Sequence, residues 1–237
     1  MSALEVVTLP NGQLEQNCYL LADSERRAAV LVDPGEDAGM FLAELGRRGL
    51  TLEAIWLTHG HVDHIMGVGA VKAATGAPVY LHPADRDLYD ALPEQGRWMG
   101  MDLESPPPPD FPLADGQHLA LGAHHLQVRH TPGHSPGSVS LVGDGLILGG
   151  DVLFSGSVGR TDLPGGDFAS LMQSLHRVFL TLPDSTRVLS GHGPETTVGI
   201  ERLTNPFLTG AYRMAAIAEA VSATNTPSNP YNAFMQI

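Results

Sequence analysis

One cysteine among 237 residues, Cys18, excludes an intrachain disulfide and a zinc cluster built from thiolates. In the apolar run "NCYLLA" it reads as a small buried strand residue. Basic residues are scarce too, 13 against 26 acidic ones, for a formal charge of −13. A phosphate-backbone footprint needs clustered Lys and Arg, so no nucleic-acid partner is expected. No run of about 18 apolar residues is present to span a membrane. The segment "MSALEVVTLP" lacks the basic and long apolar regions of a signal peptide. The expectation is a cytoplasmic protein without a membrane partner. Its oligomeric state leaves no mark in the sequence.

Hydrophobic residues supply 43% of the chain and charged residues 16%, an ordinary globular balance that promises a sizeable core. Residues 1–224 are read as one domain and 225–237 as a polar tail. "ALEVVTLP", "NCYLLAD" and "AAVLVDPG" read as strands, with a turn at Asn11-Gly12. "DAGMFLAELGRRG" has helical spacing, "EAIWLTHG" is the next strand, and "IMGVGAVKAATG" a helix. "APVYLH" is a strand and "PADRDLYDAL" a short helix opening at Pro83. Residues 93–112, with "SPPPPDFP", read as a surface excursion, either a stiff loop or a wall over a site.

The second half repeats the rhythm. "HHLQVRH", "GSVSLVG" and "GLILGG" are strands, the last two joined at Asp144-Gly145. "DFASLMQSLHRVFLTL" is a helix opening at Asp167, "TRVLSGHG" a final strand, and about 208–222 a further helix. Strands then helix, twice, suggest two sheets with helices outside.

What the chain has in excess is coordinating side chains at a few loops. "THGHVDH" (58–64), "TPGHSPGS" (131–138), "GGD" (149–151) and "SGHG" (190–193) each follow a predicted strand, where a scaffold gathers reactive groups. His59 and His61 are two apart, so in extended chain they point the same way and can share an ion. Asp63 and His64 are adjacent and point apart, which makes one tetrahedral ion for all four awkward and calls for a second. Imidazole and carboxylate donors suit zinc, iron or manganese. His82, His118, His124, His125, His130 and His176 read as ordinary surface or hydrogen-bonded residues.

The order HxHxDH, then His, Asp and His, resembles the metallo-β-lactamase superfamily. "TPGHSPGS", "GGDVLF", "GRTDLPGGD" and "SGHGPET" resemble its short bacterial glyoxalase II-like hydrolases, over about residues 4–207. The resemblance implies an α/β fold, an αββα sandwich of two mixed sheets with helices outside. It implies two divalent ions, zinc first, the first held by His59, His61 and His134 and the second by Asp63, His64 and His192. Asp151 would bridge them. Asp33, in "VDPG", is similar to a family aspartate near the metals, and capping of a turn is its other reading.

The activity implied is hydrolysis of a small thioester or ester of the S-lactoylglutathione type, by a metal-bridging hydroxide. Two ions roughly 3.5–4 Å apart bring the pKa of a shared water toward ~7. Asp63 would orient that nucleophile and take up its proton. Arg160, in "GRTD", is the candidate to bind an anionic substrate group, a salt bridge to Asp162 being the alternative. Long glyoxalase II enzymes carry a C-terminal helical domain for glutathione, whereas 30 residues follow "TNPF" here, so other thioesters or esters stand beside S-lactoylglutathione. Iron-dependent persulfide dioxygenases, acting on glutathione persulfide through a single site of the type His59, His134 and Asp151, are the rival resemblance.

Overall fold

Neighbouring residues of the N-terminal strands enter different cores. In the computed structural model, which describes residues 3–212, β2 (Gln16–Asp23) and β3 (Ala28–Val32) are buried at every position. Side chains alternate across a strand, so Tyr19, Leu21, Val30 and Val32 join one cluster while Leu20, Ala29 and Leu31 join another. Strands that bury both faces need a layer on each side, which is why these segments read as continuous apolar runs.

The first sheet is ordered β1 (Glu5–Asn11), β2, β3, β4 (Thr51–Trp56), β5 (Val79–Leu81) and β6 (Phe111–Pro112). Its first three strands are antiparallel, and β3 through β6 run parallel. The chain then forms β7 (His118–Leu121), β8 (His124–His130), β9 (Val139–Gly143) and β10 (Leu146–Gly150), a small hairpin of β11 (Leu153–Phe154) and β12 (Ser157–Val158), and β13 (Arg187–Ser190) with β14 (Thr196–Thr197). The second sheet is ordered β14-β13-β10-β9-β8-β7, parallel only between β10 and β13.

The central cluster joins the two sheets, with Trp56 of β4 packed among Leu126, Val128, Leu141 and Leu148 of the second sheet. Outside the first sheet lie α1 (Ala38–Arg48), α2 (Val62–Ile65) and α3 (Val68–Thr75), which bring Phe41, Leu45, Val68 and Val71 against Leu20, Leu31 and Ile55. After β5 come a 3-10 turn at Pro83–Asp85, α4 (Arg86–Asp90) and α5 (Leu92–Trp98). Outside the second sheet lie α6 (Phe168–Arg177) and α7 (Val198–Thr204), where Leu171, Leu175 and Val198 cover Ile147 and Val188. The architecture is the expected α/β fold, two mixed sheets between helices.

Local signals explain several boundaries. Asp144 and Gly145 both have positive φ, 48° and 75°, the pair that a two-residue hairpin turn with matching twist requires. Asp167 caps α6 by accepting from the Ser170 amide at 2.7 Å, and Asp37 does the same for α1 through Met40.

Three expectations need correction. Residues 93–112 are not an irregular excursion throughout: α5 occupies the start of that stretch, with Pro93 in its first turn, where the missing amide costs nothing. The strand β13 is not the last, because β14 and α7 follow it. The helix expected from Ile65 opens earlier, as α2, and is interrupted at Gly67 before α3. The helix expected over 208–222 falls largely, and the tail at 225–237 wholly, outside the described residues. Among the described residues no helix is long and apolar enough to cross a membrane.

Candidate metal centre

The loops leaving β4, β8, β10 and β13 converge at one edge of the sandwich. They bring His59, His61 and His134 together, with ring centroids 4.5–4.8 Å apart. Asp63, His64 and His192 form a second group, and in each trio one candidate ligand atom per residue lies within 4.8 Å of the others. Asp63 and His64 are not in extended chain: they occupy the first turn of α2, with His61 as its N-terminal flanking residue.

Asp151 lies between the trios. Its Oδ2 is 3.6 Å from His134 Nε2 and 3.5 Å from His192 Nε2, and its Oδ1 is 3.3 Å from His64 Nε2. Asp63 Oδ2 is 3.1 Å from His192 Nε2 and 3.7 Å from His64 Nε2.

Four imidazoles are held by the nitrogen facing away from this centre. His64 Nδ1 donates to Asp33 at 2.9 Å. The Thr58 hydroxyl donates to Asp33 at 2.6 Å and accepts from His59 Nδ1 at 3.0 Å. His134 Nδ1 donates to the Arg160 carbonyl at 2.8 Å, and His192 Nδ1 to the Leu14 carbonyl at 3.0 Å. Each bond fixes the tautomer that leaves an Nε2 lone pair directed inward, the arrangement metal-binding histidines need. Asp33, buried and at φ 54°, thereby orients one histidine of each trio.

The inward atoms lack protein partners. His59 Nε2, His61 Nε2, His64 Nε2 and Asp151 Oδ1 are buried without a hydrogen bond, a costly state unless a cation satisfies them. His61 Nδ1 and His134 Nε2 face each other at 2.7 Å, where two lone pairs need a proton or a cation between them. The donors, imidazole and carboxylate with no thiolate, suit divalent zinc, iron or manganese.

At His59 and His61 the electrostatics agree with that reading. Burial holds His59 well below the usual imidazole value, and the neighbouring His64, His61 and His134 push the same way. His61 is lowered to about 3, chiefly by burial and then by His134. Both are neutral ligands at physiological pH. Burial is the largest influence on Asp151 and Asp63 and opposes their charge, but the neighbouring histidines together, His64 foremost, outweigh it and both carboxyls titrate low. Burial likewise opposes charge on His64 and His192, yet the Asp151 and Asp63 carboxylates outweigh it and raise both, so a cation at the second group would displace a proton there.

Several positioning residues carried no signal in the sequence. Asp85, wholly buried after β5, accepts from the Gly60 amide at 2.9 Å, the Ser135 hydroxyl at 2.7 Å and the Gly137 amide at 2.5 Å. It ties the HxHxDH loop to the His134 loop, and burial raises its pKa despite those bonds. Gln95 of α5 grips the same loop, donating to the Gly60 carbonyl and accepting from the Val62 amide, both at 3.0 Å. On the other side Asn17 and Tyr19 of β2 donate to the Ser190 carbonyl, at 3.1 and 2.7 Å. Between Ser190 and His192 only glycine fits: a Cβ on Gly191 would stand 2.1 Å from Asp151 Oδ1.

The expectation that the chain has no GxSxG elbow of serine hydrolases needs correction, since residues 133–137, "GHSPG", spell it. Ser135 is fully buried and donates to Asp85, so it is not the exposed nucleophile that elbow presents. Arg160 reaches the same edge, but its guanidinium donates twice to Asp162, at 2.7 Å each. The six histidines read as ordinary lie outside the two trios, with His124 paired to Asp144 and His82 stacked on His130.

Comparison with known proteins points the same way. Residues 11–192 match the family model described as the metallo-beta-lactamase superfamily. The chain is 43% identical to the "Probable metallo-hydrolase YqgX" of Bacillus subtilis, covering 85% of this chain and 96% of that one. It is 34% identical to the "Hydroxyacylglutathione hydrolase GloC" of Haemophilus influenzae, covering 86% and 98%. Among solved structures, BLEG-1 B3 metallo-beta-lactamase superposes with a TM-score of 0.81 at 44% identity, over 86% of this chain and 100% of that one. The protein TTHA1623, solved in a di-iron-bound form, gives 0.79 at 44%, over the same shares. ETHE1 from Myxococcus xanthus gives 0.73 at 29%, over 87% and 85%.

Proposed function

The chain belongs to the metallo-β-lactamase superfamily, and from that footing we propose that it is a metal-dependent hydrolase of a small thioester or ester. The observation that carries the reading is the position of Asp151, whose carboxylate lies between two separate three-residue groups. A shared carboxylate between two ligand sets is what a two-ion site requires. His59, His61 and His134 would hold one ion, Asp63, His64 and His192 the other, and Asp151 both. Zinc is the first choice, with iron or manganese compatible with the same donors. Bound there, divalent ions supply Lewis acidity toward a carbonyl oxygen and acidify water at neutral pH.

The protein's own groups complete the chemistry. Asp63 stays anionic at neutral pH because the neighbouring His64 and His192 together outweigh the burial that opposes its charge. At the floor of the cleft, its carboxylate would orient the attacking water and accept its proton. The Asp33, Arg160 and Leu14 contacts hold the imidazoles so that no ring must turn during the reaction. Thioester cleavage is supported by the GloC relative, which makes S-lactoylglutathione the first substrate to try.

An iron-dependent persulfide dioxygenase is the second reading, supported by a donor set that suits iron as well as zinc and by a 44%-identical protein, TTHA1623, that was solved with iron, although as a pair of ions. The two readings part on redox chemistry. Zinc-only and iron-only protein should each be offered S-lactoylglutathione and glutathione persulfide under air. Thioester cleavage by the zinc form without oxygen uptake is the expected result. Oxygen uptake by the iron form alone, with persulfide and no thioester cleavage by either form, overturns it.

A further inference from the structure

The cleft over the candidate metal centre is larger and more apolar than a lactoyl group requires. It encloses about 1070 Å³, the upper end of the range for small-molecule sites. Leu88, Trp98 and Met99 line it from α4, α5 and the residue beyond, while Phe154 lines it from β11 and Leu14 and Leu163 from loops. Trp98 is 65% exposed and Leu14 50%. Single exposed apolar residues mean little, but several lining one concavity beside reactive groups mark a binding surface.

Charge narrows the occupant. Outside the candidate ligands, the charged side chains lining the cleft among the described residues are Asp87, Glu94 and Arg160. The Arg160 guanidinium is already engaged by both oxygens of Asp162. Beyond the candidate ligands, two carboxylates line the cleft among the described residues, and the one guanidinium there is paired. A glutathione thioester carries two carboxylates and one ammonium, and its carboxylates would meet no unpaired cation among these residues.

We propose that this cleft selects an uncharged thioester or ester bearing an extended apolar chain, in preference to a glutathione conjugate. The proposal rests on the hydrolase reading for its reacting group, and on the cleft alone for its selectivity.

The test uses the full metal-loaded chain. Butyryl, hexanoyl and octanoyl thioesters of N-acetylcysteamine should show kcat/KM rising about three- to fourfold per methylene. S-Lactoyl-N-acetylcysteamine should be cleaved better than S-lactoylglutathione. Trp98→Ala should flatten the chain-length series. Asp87→Lys combined with Glu94→Lys should move the ratio toward the glutathione thioester by tenfold or more.

Binding is read separately with thioether analogues that cannot be cleaved, S-octyl and S-methyl N-acetylcysteamine. Of the two tryptophans, Trp56 is buried and Trp98 exposed, so Trp98 fluorescence reports occupancy and Trp98→Phe should remove the response. Tighter binding of the octyl compound with no thioester turnover would retain the selectivity and sink the hydrolase. A series flat in both turnover and binding, or wild-type preference for the glutathione thioester, overturns the selectivity and leaves the hydrolase standing.

Discussion

At the residue scale, the donors to the metal centre and the groups that aim them obey different rules, and only the donors are visible in a sequence. His59, His61, Asp63 and His64 stand out because their density has no other use. Asp85 looks like one acid in "PADRDL", and its function comes from tertiary contacts with Gly60, Ser135 and Gly137. Two substitutions separate the classes. Asp63→Asn preserves volume but removes the negative charge and the capacity to take a proton. It should leave the fold intact and lower turnover on the order of 10²–10⁴-fold at matched metal content. Unchanged kcat at matched metal content would show that Asp63 has no part in the proton transfer. Asp85→Asn sets an amide NH₂ against backbone N–H donors, and one orphaned buried donor costs about 1–3 kcal/mol. Its signature should be thermal destabilisation, seen by calorimetry, together with weaker metal binding. An unaltered melt and metal affinity would mean that the two loops hold together without it.

Whole elements were legible where a period or a turn signal ran long enough. The apolar runs of β2 and β3, the paired positive-φ residues at Asp144-Gly145 and the Asp167 cap each follow from local chemistry, and the structure contains all three. The helix α5 was not legible. Seven residues, "LPEQGRW", are too few to show a helical period, and Pro93 and Gly96 imitate a loop. What fixes α5 is tertiary: Leu92 is buried in the outer core, and Gln95 donates to Gly60 and Leu88 while accepting from Val62. The element thus has two faces, one gripping the ligand loop and one presenting Glu94 and Trp98 to the cleft. Gln95→Ala should act through the first face. It leaves the Val62 amide without an acceptor just before Asp63, so metal affinity should fall by about 10- to 100-fold, as for other positioning partners. Competition with a chromophoric chelator measures this, and an unshifted titration would confine Gln95 to a packing role.

For the whole molecule, the candidate metal centre is a join between the sheets as well as a site. Its donors leave β4 of the first sheet and β8, β10 and β13 of the second, and β2 binds the His192 loop through Asn17 and Tyr19. Buried Nε2 atoms of His59, His61 and His64 and the Oδ1 of Asp151 make no hydrogen bond, so the metal-free edge carries a desolvation penalty that the contact of His64 with Asp151 offsets only in part. Ions that bind the folded chain and not the unfolded one must then raise stability by mass action. At about 1,000 times the dissociation constant the gain is ~4 kcal/mol per site, and for a chain of this size each kcal/mol moves Tm by about 2–4 °C. Stripping the metal with a chelator should therefore lower Tm by about 8–16 °C if one site empties, and further if both do. Restoring zinc should reverse the shift in a concentration-dependent way. His64→Ala and His192→Ala, each of which removes a donor from one trio, should show a smaller loss on chelation than the wild type. Equal Tm with and without metal, at full occupancy verified by elemental analysis, would mean that the edge is organised by protein contacts alone.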